Sequence, residues 1–75
     1  MKYYSLNAVV NNEPVSINKK FETREEAMSY MFDFLNDKYI YNSEVEEEFA
    51  TPENKHNITY VLTNNNRFSI ARHLS

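Results

Sequence analysis

The sequence predicts an α+β fold: an antiparallel sheet made of two β-hairpins, in the order ββααββ, packed on one face by one main helix. Two stretches of alternating apolar and polar residues, one at each end of the chain, predict the hairpins. A capping signal followed by apolar residues at helical spacing predicts the helix between them. At 75 residues, with 41% apolar and 25% charged, the chain has the composition of a globular protein with one small core. We therefore treat residues 1–75 as a single domain.

The first hairpin is predicted over residues 3–21, which alternate with a period of two on either side of a turn at residues 11–14. The preferred register pairs Val10 with Val15 and Tyr4 with Phe21, so that both apolar sets face the same side. The expected inward residues are Tyr4, Leu6, Ala8, Val10, Val15, Ile17, Lys19 and Phe21.

The second hairpin is predicted around the three asparagines Asn64 to Asn66. A three-residue loop pairs Leu62 with Phe68 and Tyr60 with Ile70, which keeps apolar residues on one face, whereas a two-residue loop mixes the faces. Because the chain has no Gly, the left-handed residue that ends such a loop should be an asparagine, and we expect it to be Asn66.

The main helix is predicted to begin at Arg24, since Thr23 and Glu26 have the spacing of a capping box. Its apolar residues spread over an arc of roughly 200°, about twice the stripe of a simple surface helix. The flanks of this helix therefore require cover beyond one sheet face.

A short second helix is predicted over residues 44–50, because Ser43 and Glu46 repeat the capping spacing and Thr51-Pro52 would end a helix. The alternative is a strand with Val45, Glu47 and Phe49 on one side. Three adjacent glutamates disfavour the strand.

Composition excludes several classes of function. Without Cys there is no disulfide or thiolate chemistry, and without Gly there is no glycine-rich phosphate cradle. The net charge of -3 has the wrong sign for general nucleic-acid binding.

No leader-like or ~20-residue apolar run is present, so we expect a cytoplasmic protein without membrane contact. We expect no cofactor and no enzymatic activity; His56 and His73, each beside a cationic residue, are the only starting point for a metal or catalytic role.

The leading hypothesis is a small acidic protein-interaction module, encoded by a phage or mobile element, that modulates or inhibits a host protein and is able to form a homodimer. The asparagine bias indicates low-GC coding, and the wide apolar arc indicates surplus aromatic surface. The expected contact residues are Tyr30, Phe34, Tyr39, Tyr41, Glu44, Glu46, Glu47 and Glu48. The competing interpretation makes the rings part of the core and the glutamates a solvated face.

The alternative function is nucleic-acid binding by the outward face of the sheet. Tyr3 would stack on bases, while Lys20 and Arg67 would supply positive charge. The competing interpretation is a plain solvated sheet face.

Overall fold

Five antiparallel strands and one helix build the protein, as a computed structural model describes it for residues 2–50 and 53–74. In chain order the elements are β1 (Lys2–Val10), β2 (Glu13–Phe21), α1 (Arg24–Asp37), β3 (Val45–Ala50), β4 (Asn57–Leu62) and β5 (Arg67–Leu74). The strands form one sheet in the spatial order β2-β1-β5-β4-β3. The α+β class, the antiparallel sheet and the single main helix are therefore confirmed, and the two hairpins are joined at the centre of the sheet by β1 and β5.

The predicted second helix is wrong. Residues 45–50 form β3, which pairs with β4 through Glu47 opposite Val61 and Phe49 opposite Thr59. A seven-residue helix is marginal by itself, whereas the open edge of β4 offers hydrogen-bonding partners to an extended backbone. The strand alternative is therefore the correct assignment, but only Glu47 and Phe49 share a face as expected. A register irregularity after Val45 places Val45 opposite the buried Leu62, on the helix-side face. Thr51 and Pro52, expected to end the helix, lie outside the described residues.

The first hairpin closes with a shorter turn than predicted. Asn11 and Asn12 have φ values of 53° and 65°, the signature of a two-residue type I′ turn, and Val10 pairs with Glu13 instead of Val15. An irregularity between Tyr4 and Leu6 shifts the register, so that Tyr4 lies opposite Phe21 as predicted. This turn is favoured because its twist matches that of the strands it connects.

The second hairpin has the predicted three-residue loop, displaced by one residue. The loop comprises residues 63–65, and the left-handed residue is Asn65, with φ 64°, instead of Asn66. Tyr60 consequently pairs with Phe68 and not with Ile70. The displacement moves the register by two residues, so every apolar side chain keeps its predicted face.

Helix α1 begins as the capping signal predicts. The Thr23 hydroxyl accepts a hydrogen bond from the backbone N–H of Glu26 (3.1 Å), and the Glu26 carboxylate accepts one from the N–H of Glu22 (2.9 Å). The helix packs over β5, β1 and β2 and buries Ala27 and Met31 against them, together with Leu35. The complete buried apolar set is Leu6, Ala8, Val10, Phe21, Ala27, Met31, Leu35, Tyr60, Leu62, Phe68 and Ile70 among the described residues.

Rings from the sheet cover both flanks of the helix. Tyr30 meets Phe21 of β2 edge to face, with ring centroids 5.4 Å apart, and Phe32 meets Phe68 of β5 at 6.0 Å. Phe68 in turn stacks on Tyr60 of β4 at 5.0 Å. The wide apolar arc of α1 is therefore largely accounted for by these contacts.

Candidate functional site

The predicted aromatic patch is divided between the core and the surface. Tyr30 and Phe34 are half-buried and pack against the core cluster. Tyr39 and Tyr41, by contrast, are 81% and 59% exposed. The surface expected along the flank of the helix is thus absent at Tyr30 and Phe34, and the exposed rings lie after the end of the helix.

Tyr39 occupies the position at which helices usually place glycine. The N–H of Tyr39 donates to the carbonyl of Asn36 (3.0 Å), and the N–H of Ile40 donates to the carbonyl of Leu35 (2.9 Å). This pair of bonds is a Schellman motif, which requires a left-handed residue, and Tyr39 has φ 61°. The backbone therefore directs the Tyr39 ring away from the helix and into solvent.

Exposed apolar side chains occur both after the helix and in β3. The rings of Tyr39 and Tyr41 meet edge to face with centroids 6.5 Å apart. Further along, Val45 is 39% exposed and Phe49 is 53% exposed. Four of the five large apolar side chains that are exposed in the described part of the chain thus fall within residues 39–50, which we call the 39–50 segment.

The 39–50 segment is anchored to the β4–β5 turn. The carbonyl of Glu44 accepts from the N–H of Thr63 (3.0 Å), and the Thr63 hydroxyl accepts from the N–H of Glu44 (3.4 Å). Beside them the Asn64 amide donates to the Ser43 hydroxyl (2.9 Å). These bonds hold the start of β3 in place.

All four candidate glutamates are exposed, and three of them lie in β3. Because side chains alternate along a strand, Glu47 shares the outer sheet face with Phe49, whereas Glu48, opposite the buried Tyr60, belongs to the helix-side face. Charged residues on an edge strand also discourage indiscriminate strand pairing. The glutamates therefore give β3 a strongly acidic edge.

The outer face of the sheet carries a second cluster. The Lys20 ammonium lies 4.7 Å from the centroid of the Tyr3 ring, and the His73 ring stacks on Tyr3 at 4.8 Å with an interplanar angle of 16°. His73 Nε2 also lies 2.7 Å from the Ser5 hydroxyl. This cluster depends on the pairing of β1 with β5, which the sequence did not predict.

Arg67 is separate from that cluster. It pairs with Val9, six residues along β1 from Tyr3, which corresponds to about 20 Å of extended strand. There it borders a shallow depression of about 310 Å³ on the outer face, together with Asn7 and Ser69. The structure thus brings together Tyr3 and Lys20 but not Arg67.

His56 is exposed in the loop before β4. Among residues 2–50 and 53–74, no group of three or more His, Asp or Glu side chains is arranged to hold a metal ion. The one helix within these residues is too short and too polar to cross a bilayer.

The sequence missed Val45 and Phe49 as surface residues, because a helix over residues 44–50 would have used them to cover α1. Their alternation with Glu46 and Glu48 was the available signal for a strand. Comparisons of the chain with models of known protein families, with curated proteins and with solved structures find no match.

Proposed function

We propose that the protein is a non-enzymatic interaction module that binds a protein partner through the 39–50 segment. In this proposal the protein is a cytoplasmic modulator of a host protein, encoded by a phage or mobile element. The observation that supports it is Tyr39, a bulky residue held in a left-handed conformation with 81% of its surface exposed.

Tyr39 is unfavourable for folding. A left-handed conformation costs a residue with a side chain roughly 1–2 kcal/mol, and Asn and Gly lower that cost. Asn occupies the other described positions with positive φ, namely residues 11, 12, 42 and 65. Because the exposed ring of Tyr39 packs little within the chain, it does not offset this conformational cost by stabilising the fold. Unfavourable backbone conformations of this kind cluster at functional sites.

The chemistry of the segment suits protein recognition. Tyrosine is enriched at protein interfaces because its ring buries apolar area while its hydroxyl remains hydrated. Tyr39 and Tyr41 form a pair of such rings, and the neighbouring glutamates add charge that can select a partner. Tyr30 and Phe34 contribute to the core and are left out of the proposed contact surface.

The test compares proteins captured from a low-GC bacterial lysate by three immobilised forms of the chain. These are the wild type, a Tyr39→Asn/Tyr41→Asn variant, and a Tyr3→Asn control on the outer sheet face. We expect the wild type and the control to retain the same partner and the double variant to lose it. Thermal melts must show that the double variant is folded. Retention by all three forms would contradict the proposal, and so would retention by none if the wild type is also monomeric in solution.

Light scattering distinguishes a host partner from self-association. If the partner is a second copy, the wild type will have the mass of a dimer and the double variant that of a monomer. A homodimer that persists in the double variant would place the interface outside the 39–50 segment.

Nucleic-acid binding by the outer sheet face is the second candidate, favoured by the positive charge that Lys20 places 4.7 Å from the Tyr3 ring. Single-strand binding surfaces commonly combine basic side chains with aromatic rings. This function predicts a mobility shift with single-stranded DNA or RNA at low salt that weakens steeply as salt rises. The shift should be lost in a Lys20→Ala/Arg67→Ala variant and kept in Tyr39→Asn; absence of any shift would rule this candidate out.

A further inference from the structure

We propose that the free edge of β3 binds an extended, basic segment of the partner by strand addition, so that the sheet gains a sixth strand. This inference rests on the proposed function and specifies its partner. It starts from the position of β3 at one end of the sheet, where all six of its residues are exposed.

The backbone of β3 is already in the conformation that strand addition needs. From Glu47 to Ala50, four successive residues pair in regular antiparallel register with residues 58–61 of β4. In such a strand, alternate N–H and C=O groups point away from the existing neighbour and can bond to an added strand. Recognition by main-chain hydrogen bonds, with alternate side chains providing selectivity, is a general mode of peptide binding.

The other edge of the sheet is poorly suited to the same role. Strand β2 contains Pro14, which lacks a backbone donor, whereas β3 contains no proline. A proline blocks strand pairing at a sheet edge. Of the two edges of the sheet, β3 is therefore the better suited to accept an added strand.

The negative charge of β3 determines which kind of segment can pair with its edge. Antiparallel pairing of β3 with β3 of a second copy would bring glutamates from the two chains close together, and like charges on facing strands are destabilising. Lysine or arginine opposite Glu47 and Glu48 would instead form an ion pair on each face of the sheet. Phe49 is 53% exposed on the outer face, and an apolar residue opposite it would bury its ring.

These positions define a probe peptide. In antiparallel order from Ala50 back to Glu46, the matching sequence is Thr-Val-Lys-Arg-Lys, which places Val opposite Phe49 and basic residues opposite the glutamates. Binding of the fluorescently labelled peptide is measured by anisotropy, and its location by amide chemical shifts of the protein. We expect the shifts to concentrate on residues 45–50 and to spare Asn7 and Ser69 on the outer face.

Two controls separate strand addition from simple charge attraction. The same peptide with alternate backbone nitrogens methylated keeps its charge but loses donors, and should bind about tenfold more weakly, the equivalent of one or two hydrogen bonds. A Glu47→Lys/Glu48→Lys variant should also bind about tenfold more weakly and should prefer an acidic version of the peptide. A Glu25→Lys variant, changed on the exposed face of α1, should bind like the wild type.

Several outcomes would overturn the inference. Equal binding of the methylated peptide, shifts away from residues 45–50, or no binding of the probe would each exclude strand addition by a basic segment. The protein could also associate with itself in a salt-sensitive way that the Glu47→Lys/Glu48→Lys variant abolishes. In that case the β3 edge binds a second copy of this chain, and the inference of a basic segment from another protein is wrong. None of these results affects the capture experiment with the Tyr39 variants, so the proposed function can survive the failure of this inference.

Discussion

The side-chain oxygen of Asn66 accepts a 2.9 Å hydrogen bond from the backbone N–H of Asn11, and this bond joins the two hairpin turns. Asn66 is 4% exposed, and its backbone carbonyl also accepts from Leu62 (2.8 Å) to close the β4–β5 turn. A buried amide at this point fastens the β1–β2 turn to the loop that anchors the 39–50 segment.

Replacing Asn66 by alanine should lower the free energy of unfolding by about 1–3 kcal/mol, because the N–H of Asn11 loses its acceptor in a partly buried site. Urea denaturation monitored by circular dichroism measures the loss. Asn18→Ala on exposed β2 is the matched control and should change stability by less than about 0.5 kcal/mol. Equal effects of the two substitutions would show that the bond between the turns contributes nothing.

Tyr39→Gly should stabilise the fold. Glycine adopts the left-handed conformation without the penalty of a side chain, so we expect a gain of about 1 kcal/mol, partly offset by greater freedom of the unfolded chain. For a domain of this size the melting temperature should rise by roughly 4–8 °C. The same change at Asn65, which has nearly the same φ, should have a smaller effect because asparagine tolerates it. A lower melting temperature for Tyr39→Gly would mean that the ring packs on the protein.

Arg24 should be more important for stability than its place at the start of the helix suggests. Its guanidinium donates to the carbonyls of Ile70 (3.1 Å) and His56 (3.0 Å) and lies 5.3 Å from the Tyr4 ring centroid. A lysine cannot reproduce this forked geometry, so Arg24→Lys should cost about 1–2 kcal/mol in thermal or urea denaturation. Arg67→Lys, at an exposed position, is the control; a loss as large there would contradict the prediction.

Phe68→Leu should weaken the attachment of β3 and β4 to the core. Phe68 is 1% exposed and contacts Tyr60 and Phe32 through its ring, so the substitution should cost about 2 kcal/mol. Amide hydrogen exchange should then increase most in β3 and β4, because the helix packs on β5, β1 and β2. Phe49→Leu, at an exposed site, should leave both stability and exchange nearly unchanged.

Local patterns determined the faces of the strands. The period-two alternation of Leu6, Ala8 and Val10 places them inward, as predicted, and a register error of two residues around Asn65 left every face unchanged. The capping residues Thr23 and Glu26 likewise located the start of α1, because capping depends on neighbouring backbone groups alone. The torsion angles of the turns were harder to predict from the sequence, since any of several adjacent asparagines can take the left-handed conformation.

The sequence by itself determined the α+β class, the helix start and the apolar faces, all of which depend on residues close together in the chain. Only the tertiary structure decided that residues 45–50 form a strand, because the open edge of β4 outweighs their weak local preference. The pairing of β1 with β5, which places Tyr3 beside His73, was also decided at this level. Contacts between segments so distant in sequence reflect the packing of the whole sheet, and no local pattern of residues specifies them.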